Sequence, residues 1–283
     1  MINYLKYRAN EFLYGGEKVK IPRGSLVLEI ASGGKPYWRS NVLLDKFILD
    51  NSERDAGYAV IDRDFVVGDV MKLPFKDKAF DFVVARHILE HIEHPDEFLK
   101  ELQRVAKNGY IETPSPLSEE LYDWPFHVWK ISVEDGKLLL DKRGAEKNVQ
   151  LKKLQAYFDK DKNLKEFALK NRDLFYTGYY WSDKIGFSIF DKGEFKKEVL
   201  SSNYSLENFS LSSYKERYSI KTRIKIIIDN LRRKMCSKNL EINLINLMQC
   251  PDCGGDLDVE GEGLSCKKCR RGYVQKDGIP VML

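Results

Sequence analysis

Residues 27 to 37 read VLEIASGGKPY, an apolar run that stops abruptly at two glycines. We predict a buried strand and then a tight turn, in which Gly33 lets a ligand approach the backbone more closely than a Cβ atom would permit. Three later runs are also apolar and end in polar residues, namely 41–47 (NVLLDKF), 65–70 (FVVGDV) and 80–87 (FDFVVARH), and 109–114 (GYIETP) predicts a fifth strand. Such runs are typical of strands buried on both faces of a parallel sheet.

A helix is predicted between the fourth and fifth strands, over residues 94–108, because Pro95 stands early in it and apolar residues recur along one face. Strands that alternate with helices predict a doubly wound, Rossmann-like α/β sheet. In such sheets the ligands bind at the carboxyl ends of the strands.

Two carboxylates follow strands at that edge. Asp45 ends the second strand, where it can accept hydrogen bonds from the ribose hydroxyls of an adenosyl group, and Asp69 follows the third. A nicotinamide dinucleotide would require Gly-x-Gly-x-x-Gly, but counting from Ala31 the chain has Ala-x-Gly-x-x-Pro, which disfavours that cofactor. Taken alone, the glycines are also compatible with an ordinary structural turn.

Four stretches occur in a characteristic order, namely VLEIASGG, LLDKF, GDVMKLPFKDKAFDFVVARHILEHI and RVAKNGYIETPSP. Together they resemble the class I S-adenosylmethionine-dependent methyltransferases, over residues 22 to 135. The resemblance implies S-adenosylmethionine as cofactor and methyl transfer as the activity. Two positions depart from the family pattern, since Ala31 replaces the usual first glycine and Lys35 stands where a third is common.

The resemblance also implies which residues contact the cofactor. Glu29 matches the acidic residue that approaches the methionine end, and Gly33 matches the central glycine. Asp45 matches the ribose-binding acid, and Asp69 with Val70 matches the adenine contacts. The complete set of cofactor-binding residues that it implies is Glu29, Ala31, Ser32, Gly33, Asp45, Lys46, Asp69, Val70 and Arg86.

Two histidines are candidates for general base catalysis. His87 follows the fourth strand directly, and His127 lies in a loop after the fifth, so both are expected at the same edge. An imidazole with its ordinary pKa of about 6.5 suits proton transfer near neutral pH. The alternative is that His87 shapes the cofactor site and His127 packs among Trp124, Phe126 and Trp129.

Absent motifs narrow the methyl acceptor. No cysteine precedes Cys236, so the catalytic domain lacks the nucleophile for cysteine-adduct methylation of pyrimidine carbons. The turn ARHILEH also lacks the Asn/Asp-Pro-Pro-Tyr/Phe signature of methyltransferases acting on adenine or glutamine amides. We expect an oxygen or nitrogen nucleophile on a small molecule or glycan. The alternatives are an RNA or protein acceptor, or a non-catalytic binding module on a degenerate methyltransferase fold.

The C-terminal cysteines form two Cys-x-x-Cys pairs, Cys250 with Cys253 and Cys266 with Cys269, separated by 12 residues. Four thiolates at this spacing favour a closed, structural zinc site in a zinc ribbon. The stretches LMQCPDCGG and DGIPVML resemble the zinc-ribbon activator subunit of tRNA and protein methyltransferases. That resemblance implies that the ribbon docks in cis on the catalytic domain, by pairing its apolar last strand with the sheet.

A competing metal motif lies at residues 86–95, RHILEHIEHP, which contains the His-x-x-Glu-His spacing of inverted-motif zinc peptidases. Pro95 limits any helix there to about two turns, and no third ligand is apparent downstream. We therefore place the metal at the four cysteines. His87 is expected to face the cofactor, His91 to support the loop and His94 to lie at the surface.

The predicted domains are a methyltransferase core (1–145), an inserted helical cap (146–178), further strands with a basic helix (179–239) and the zinc ribbon (240–283). KIGFSIF at 184–190 predicts a strand with one buried face. The basic helix at 215–238 carries an apolar stripe of Ile220, Ile224, Ile227 and Leu231. We expect this stripe to face the protein beneath a solvated basic surface, with phosphate or anionic-lipid binding as the alternative.

The bulk composition excludes few functions. With 43% hydrophobic and 32% charged residues the chain has an ordinary globular composition, and its net charge of +4 is too small to imply a nucleic-acid partner. No apolar stretch reaches the roughly 18 residues of a membrane span. Residues 1–20 lack the apolar region of a signal peptide and predict an amphipathic helix, so we expect a cytoplasmic protein.

Overall fold

The computed structural model describes residues 18–49, 58–144, 149–191, 206, 209–236 and 241–283. The predicted amphipathic helix at 1–20 lies almost wholly outside the described residues. The strands within them are β1 (Val27–Ile30), β2 (Val42–Asp45), β3 (Asp64–Gly68), β4 (Phe80–Arg86), β5 (Ala106–Pro114), β6 (Trp129–Glu134), β7 (Lys137–Lys142), β8 (Tyr176–Ser182), β9 (Phe187–Phe190), β10 (Leu257–Glu260), β11 (Gly263–Cys266), β12 (Gly272–Lys276) and β13 (Ile279–Met282).

The five strands predicted for the catalytic domain are confirmed. They are parallel and lie in the order β3-β2-β1-β4-β5, with β8 antiparallel to β5 at one side. All residues of β1 and β2 are buried, as continuous apolar runs in a two-sided sheet require. The fold is the expected doubly wound α/β sheet.

The described helices are α1 (Pro95–Val105), α2 (Pro116–Tyr122), α3 (Val149–Lys160), α4 (Lys162–Lys170), α5 (Arg172–Phe175), α6 (Leu211–Glu216), α7 (Ile220–Cys236) and α8 (Leu244–Leu247). The predicted helix is α1, which begins at Pro95, buries Phe98, Leu99 and Leu102 completely, and ends three residues before the predicted end because β5 already begins at Ala106. Helices α3 to α5 occupy the segment in which the helical cap was expected.

A second, three-stranded sheet has the order β6-β7-β9. The strand expected within KIGFSIF is β9, whereas β6, β7 and β8 were not predicted. Asp135 and Gly136 join β6 to β7 with φ angles of +47° and +71°. Asp-Gly between two apolar runs is a strong hairpin signal, because both residues tolerate positive φ. That signal was present in the sequence.

The C-terminal ribbon continues the catalytic sheet. Strands β10 to β13 are antiparallel to one another, and β13 then pairs in parallel with β3, placing Val281 opposite Val67 and Met282 opposite Gly68. An ion pair between Lys76 and Asp256 (2.8 Å) adds a contact across the same junction. The predicted cis docking through the last strand is confirmed.

Helix α7 is oriented opposite to the prediction. Its apolar stripe is exposed, since Ile220 and Ile227 are 78% and 60% accessible. The inward face instead carries Asp229 and Arg233, which are 2% and 8% accessible, and Arg233 pairs with Asp62 at 3.4 Å. The expectation was wrong because the face that turns inward carries this ion pair together with Ile226, which packs against a core cluster, and not the predicted stripe. No described helix is long and apolar enough to cross a membrane.

Candidate active site and metal centre

The turn after β1 adopts the conformation that a glycine-rich motif would supply. Ala31 and Gly33 both have left-handed backbones, with φ angles of +49° and +53°. The turn is attached to the end of β2, because the Gly33 amide donates to Asp45 Oδ2 at 3.0 Å and the Ser32 amide to the Leu44 carbonyl at 3.4 Å. Replacing the usual first glycine with alanine therefore keeps the turn but adds backbone strain on the order of 1 kcal/mol.

The predicted ribose and adenine acids lie at adjacent strand ends. Besides Gly33, Asp45 accepts a hydrogen bond from the Phe47 amide at 3.0 Å. Lys46 forms an ion pair with Asp69 at 2.6 Å, and Val70 beside it is buried. The structure thus brings these predicted cofactor residues together along one edge.

The hydroxyl of Ser32 indicates that a polar ligand would fit this edge. The hydroxyl oxygen is buried and has no hydrogen-bond partner within the described part of the chain. A buried hydroxyl without a partner is costly, so a ligand that supplies a hydrogen bond there would remove the cost. The turn, Ser32 and Asp45 accordingly fit an adenosyl cofactor.

Glu29 is already engaged by protein donors. Its carboxylate accepts from the Tyr37 amide (2.7 Å), the Ser40 hydroxyl (2.8 Å) and Arg86 Nη2 (3.0 Å). Glu29 and Arg86 form a buried ion pair. Burial opposes the charge on Arg86, but the carboxylates of Glu29 and Glu112 outweigh it and raise the pKa of Arg86. The pair is a fixed support beneath the turn.

Glu112, at the end of β5, was not among the predicted site residues. It accepts a hydrogen bond from the Tyr110 hydroxyl at 2.9 Å and lies 3.5 Å from His87 Nε2 and 3.4 Å from Arg172 Nη2. Burial opposes its ionisation, yet the hydrogen bond and charge of His87, with the charges of Arg172 and Arg86, lower the pKa of Glu112 to about 2. Its place at the end of the strand predicted from GYIETP was the signal that could have identified it.

His87 lies between two carboxylates at the edge of the sheet. Its Nδ1 is 3.6 Å from Glu90 and its Nε2 is 3.5 Å from Glu112, while 44% of its side chain is exposed. Burial opposes its charge, but these two glutamates raise the pKa of His87 to about 9. At neutral pH the ring is therefore a cation, which would have to lose a proton before it could act as the predicted general base.

His127 is buried, and its Nδ1 is 2.7 Å from Glu119 Oε1. Its ring contacts Trp124 and Phe126 with centroid distances of 4.9 and 5.0 Å. This is the packing that was expected for these two aromatics if His127 is not a general base. Burial lowers the pKa of His127 to about 3 and raises the pKa of Glu119 to about 9. The two groups therefore form a hydrogen-bonded buried pair that is neutral overall.

In the fold, His127 lies next to the His-x-x-Glu-His segment. The segment forms a 3₁₀ helix of only three residues, Leu89–His91, as short as Pro95 was expected to make it. One ligand atom from each of Glu90, His91 and His127 lies within 4.8 Å of the others. His87, the first histidine of the peptidase motif, is not in this group, and the loop after α2 instead returns His127 to His91.

The four ribbon cysteines also converge. The Sγ atoms of Cys250 and Cys269 are 3.7 Å apart, and those of Cys253 and Cys266 are 3.5 Å apart. Tetrahedral coordination with Zn–S bonds of about 2.3 Å would place sulfurs about 3.8 Å apart. Gly255 leaves room for them, since a Cβ there would lie 2.8 Å from Cys266 Sγ. The donor set fits a structural zinc ion.

Family comparisons agree with this arrangement. A methyltransferase domain model matches residues 44–111, and a Trm112p-like protein model matches residues 242–278. Residues 44–111 are thus similar to a methyltransferase domain and residues 242–278 to Trm112p-like proteins. The first match spans β2 to most of β5, and the second contains all four ribbon cysteines.

Curated relatives match parts of the methyltransferase domain. The ajmaline N-methyltransferase of Rauvolfia serpentina is 42% identical over 45 residues, which is 16% of either chain. The sterol 4-C-methyltransferase of Caenorhabditis elegans is 33% identical over 87 residues, 30% of this chain and 26% of the relative. A ubiquinone/menaquinone C-methyltransferase of Roseobacter denitrificans is 30% identical over 95 residues, 30% of this chain and 38% of the relative. This chain thus spans well under half the length of these relatives.

One chain of a solved complex between the Haloferax volcanii Trm112 methyltransferase activator and a methyltransferase is similar in structure to this protein. The match covers 65% of this chain and 95% of that chain. Its sequence identity to this chain is 13% and its TM-score is 0.38.

Proposed function

We propose that this chain is an S-adenosylmethionine-dependent methyltransferase that transfers a methyl group to an oxygen or nitrogen nucleophile of a small molecule or glycan. The observation that carries the proposal is the carboxyl edge of the methyltransferase sheet. There the left-handed turn at Ala31 and Gly33 stands beside Asp45 and Asp69, at the ends of three adjacent strands.

Each part of this edge has a proposed role toward the cofactor. Asp45 would accept hydrogen bonds from the ribose, Asp69 and Val70 would contact the adenine, and the Ser32 hydroxyl would gain the partner that it lacks. When bound, S-adenosylmethionine supplies the electrophilic methyl carbon. The protein has to align the acceptor in line with that carbon and exclude water.

His87 is the histidine that we propose meets the acceptor, because it lies at the edge and nearly half of its side chain is exposed. His127 is the second candidate, and its burial favours a supporting role over direct contact. Glu29 and Arg86 would hold the turn in place from below.

An RNA or protein acceptor is the second candidate function. The Trm112p-like domain favours it, because this domain resembles the activator of tRNA and protein methyltransferases. The relatives do not choose between acceptor atoms, since they include both N- and C-methyltransferases. We further propose that the ribbon holds structural zinc and that the protein acts in the cytoplasm, where its reduced cysteine pairs would be maintained.

Calorimetry with S-adenosylmethionine tests the proposal, using wild type, Asp45→Asn and the matched control Asp64→Asn. Asp64 is exposed and begins β3, at the opposite end of the strands. A hydrogen bond to a charged group contributes about 1.5–3 kcal/mol, so Asp45→Asn should weaken binding about 10- to 100-fold while the control binds as wild type. If wild type shows no binding at millimolar ligand, the chain is a non-catalytic binding module and the proposal is wrong.

The acceptor class is tested separately by mass spectrometry. The protein is incubated with S-adenosylmethionine and either a panel of small hydroxyl- and amine-bearing metabolites or total RNA. A product heavier by one methylene unit in the metabolite panel supports the small-molecule acceptor. Incorporation confined to RNA would instead establish the second candidate.

A further inference from the structure

Three side chains with metal-binding atoms lie close together near the C-terminal end of β4. Glu90 and His91 belong to the 3₁₀ helix that follows the strand, and His127 comes from the loop before β6. One donor atom from each lies within 4.8 Å of the other two. The rings of His91 and His127 are 4.6 Å apart between centroids, and Phe126 stacks on His91. The three donors are therefore packed into one place.

The buried carboxylate of Glu90 favours a cation bound between these three side chains. Glu90 is 1% accessible, and within the described residues neither of its carboxylate oxygens has a hydrogen-bond partner. His87 Nδ1 lies 3.6 Å from Glu90 Oε1, beyond hydrogen-bonding distance. A buried carboxylate without donors is strongly unfavourable, whereas one that coordinates a cation is common.

Glu119 supplies the second observation. Its Oε1 lies 2.7 Å from His127 Nδ1, and both groups are buried. Metal-binding histidines commonly engage a carboxylate through the ring nitrogen that does not bind the metal, which fixes the ring and its tautomer. With Nδ1 held by Glu119, a metal ion would bind Nε2 of His127 and displace its proton, while the other proton of the pair stays between Nδ1 and Glu119.

We propose that Glu90, His91 and His127 bind a divalent transition-metal ion, separate from the zinc of the ribbon. Two imidazoles and one carboxylate are a donor set for Zn²⁺, Fe²⁺, Co²⁺ or Mn²⁺, and three protein ligands leave a coordination position for water or a ligand. The ion would lie on the side of the edge where the acceptor binds, and this placement rests on the proposed function. The binding of the metal ion itself does not depend on that function.

The test counts metal ions on the full-length protein without S-adenosylmethionine. Protein with its ribbon zinc in place is incubated with Co²⁺, freed of unbound ion and measured by elemental analysis. We expect two metal ions per chain in wild type, and visible cobalt bands without thiolate-to-cobalt charge transfer, because the new site has no sulfur ligand. His127→Ala and the isosteric Glu90→Gln should each reduce the count to one, the ribbon zinc.

His94→Ala is the matched control, because His94 belongs to the same segment but is exposed and outside the cluster. It should keep two metal ions. Retention of one zinc ion and an unchanged near-ultraviolet circular dichroism spectrum show that a variant is folded. A single metal ion in wild type would overturn the proposal, and so would a second ion that persists in folded Glu90→Gln. Neither result depends on methyl transfer.

Discussion

The ribbon cysteines and the Glu90–His91–His127 cluster are two metal-binding arrangements built in different ways. The cysteines come from two short turns of one small domain and form a closed set of four sulfurs. The cluster brings together a segment that precedes β5 in the sequence and a loop that follows it, and it offers only three ligands. Zinc should therefore fold the ribbon, whereas the second ion should enter a fold that already exists.

The largest expected effect is that of Cys253→Ser. Zinc contributes on the order of 10 kcal/mol to the folding of such a domain, which is comparable to the whole stability of many proteins. We expect the variant to lose its zinc and to expose β3, because β13 pairs with that strand. Elemental analysis and hydrogen exchange at Val67 measure both effects. Cys236→Ser, outside the two pairs, should keep its zinc, and a full zinc content in pure Cys253→Ser would contradict the assignment.

A smaller effect is expected from Gly255→Ala. The added Cβ would lie 2.7 Å from Lys268 Cβ and 2.8 Å from Cys266 Sγ, so the sulfurs must move. Overpacking of this kind costs about 1–3 kcal/mol, which should appear as weaker zinc binding in a chelator competition. Gly272→Ala is the control, because nothing lies within 4 Å of a Cβ there. Equal zinc affinities in the two variants would show that Gly255 does not shape the site.

Glu119→Gln tests the cluster in the same way. Removing the partner of a metal-binding histidine typically weakens metal affinity about 10- to 100-fold. We expect that loss for Co²⁺ at the second site, measured by titration, with the zinc content of the ribbon unchanged. Glu120→Gln is the neighbouring control, because Glu120 pairs with Lys130 and lies outside the cluster. A Co²⁺ affinity that Glu119→Gln does not alter would remove Glu119 from the proposed site.

The smallest effect belongs to Ala31→Gly, which should leave both metal counts unchanged. Glycine adopts the left-handed φ of +49° without a Cβ clash, so we expect the free energy of unfolding to rise by up to about 1 kcal/mol in urea titrations. The same substitution at Ala106, where φ is −132°, relieves no strain and should destabilise the protein. A loss of stability in Ala31→Gly as large as in Ala106→Gly would show that Ala31 is not strained.

The central strands could be predicted because each carries its own signal. Continuous apolar runs identified β1 to β5, and Pro95 marked the first residue of α1. The orientation of α7 could not be predicted from the stripe of isoleucines, because it depends on Asp62, a partner distant in sequence. Hydrophobic periodicity indicates which residues share a face, but the face of α7 that turns inward is the one that carries Ile226 and the ion pair of Arg233 with Asp62.

The site shows the same limit. Placing Asp45 and Asp69 side by side required only the rule that parallel strands end at one edge, and the cysteine spacing identified the ribbon site directly. The approach of His127 to His91 depends on the path of the chain after α2, for which no local pattern exists. The place of Glu112 near the end of the strand predicted from GYIETP was a usable signal, but its contacts with His87 and Arg172 depend on residues distant in sequence.

The parallel pairing of β13 with β3 also has a consequence for synthesis of the protein. Val67 and its partner Val281 lie in the first and last thirds of the chain, so the ribosome releases β3 long before β13. Until then one edge of the growing methyltransferase sheet has no neighbour, and an open edge strand is a place where nascent chains aggregate. The pairing of β13, which belongs to the ribbon, would end this exposure.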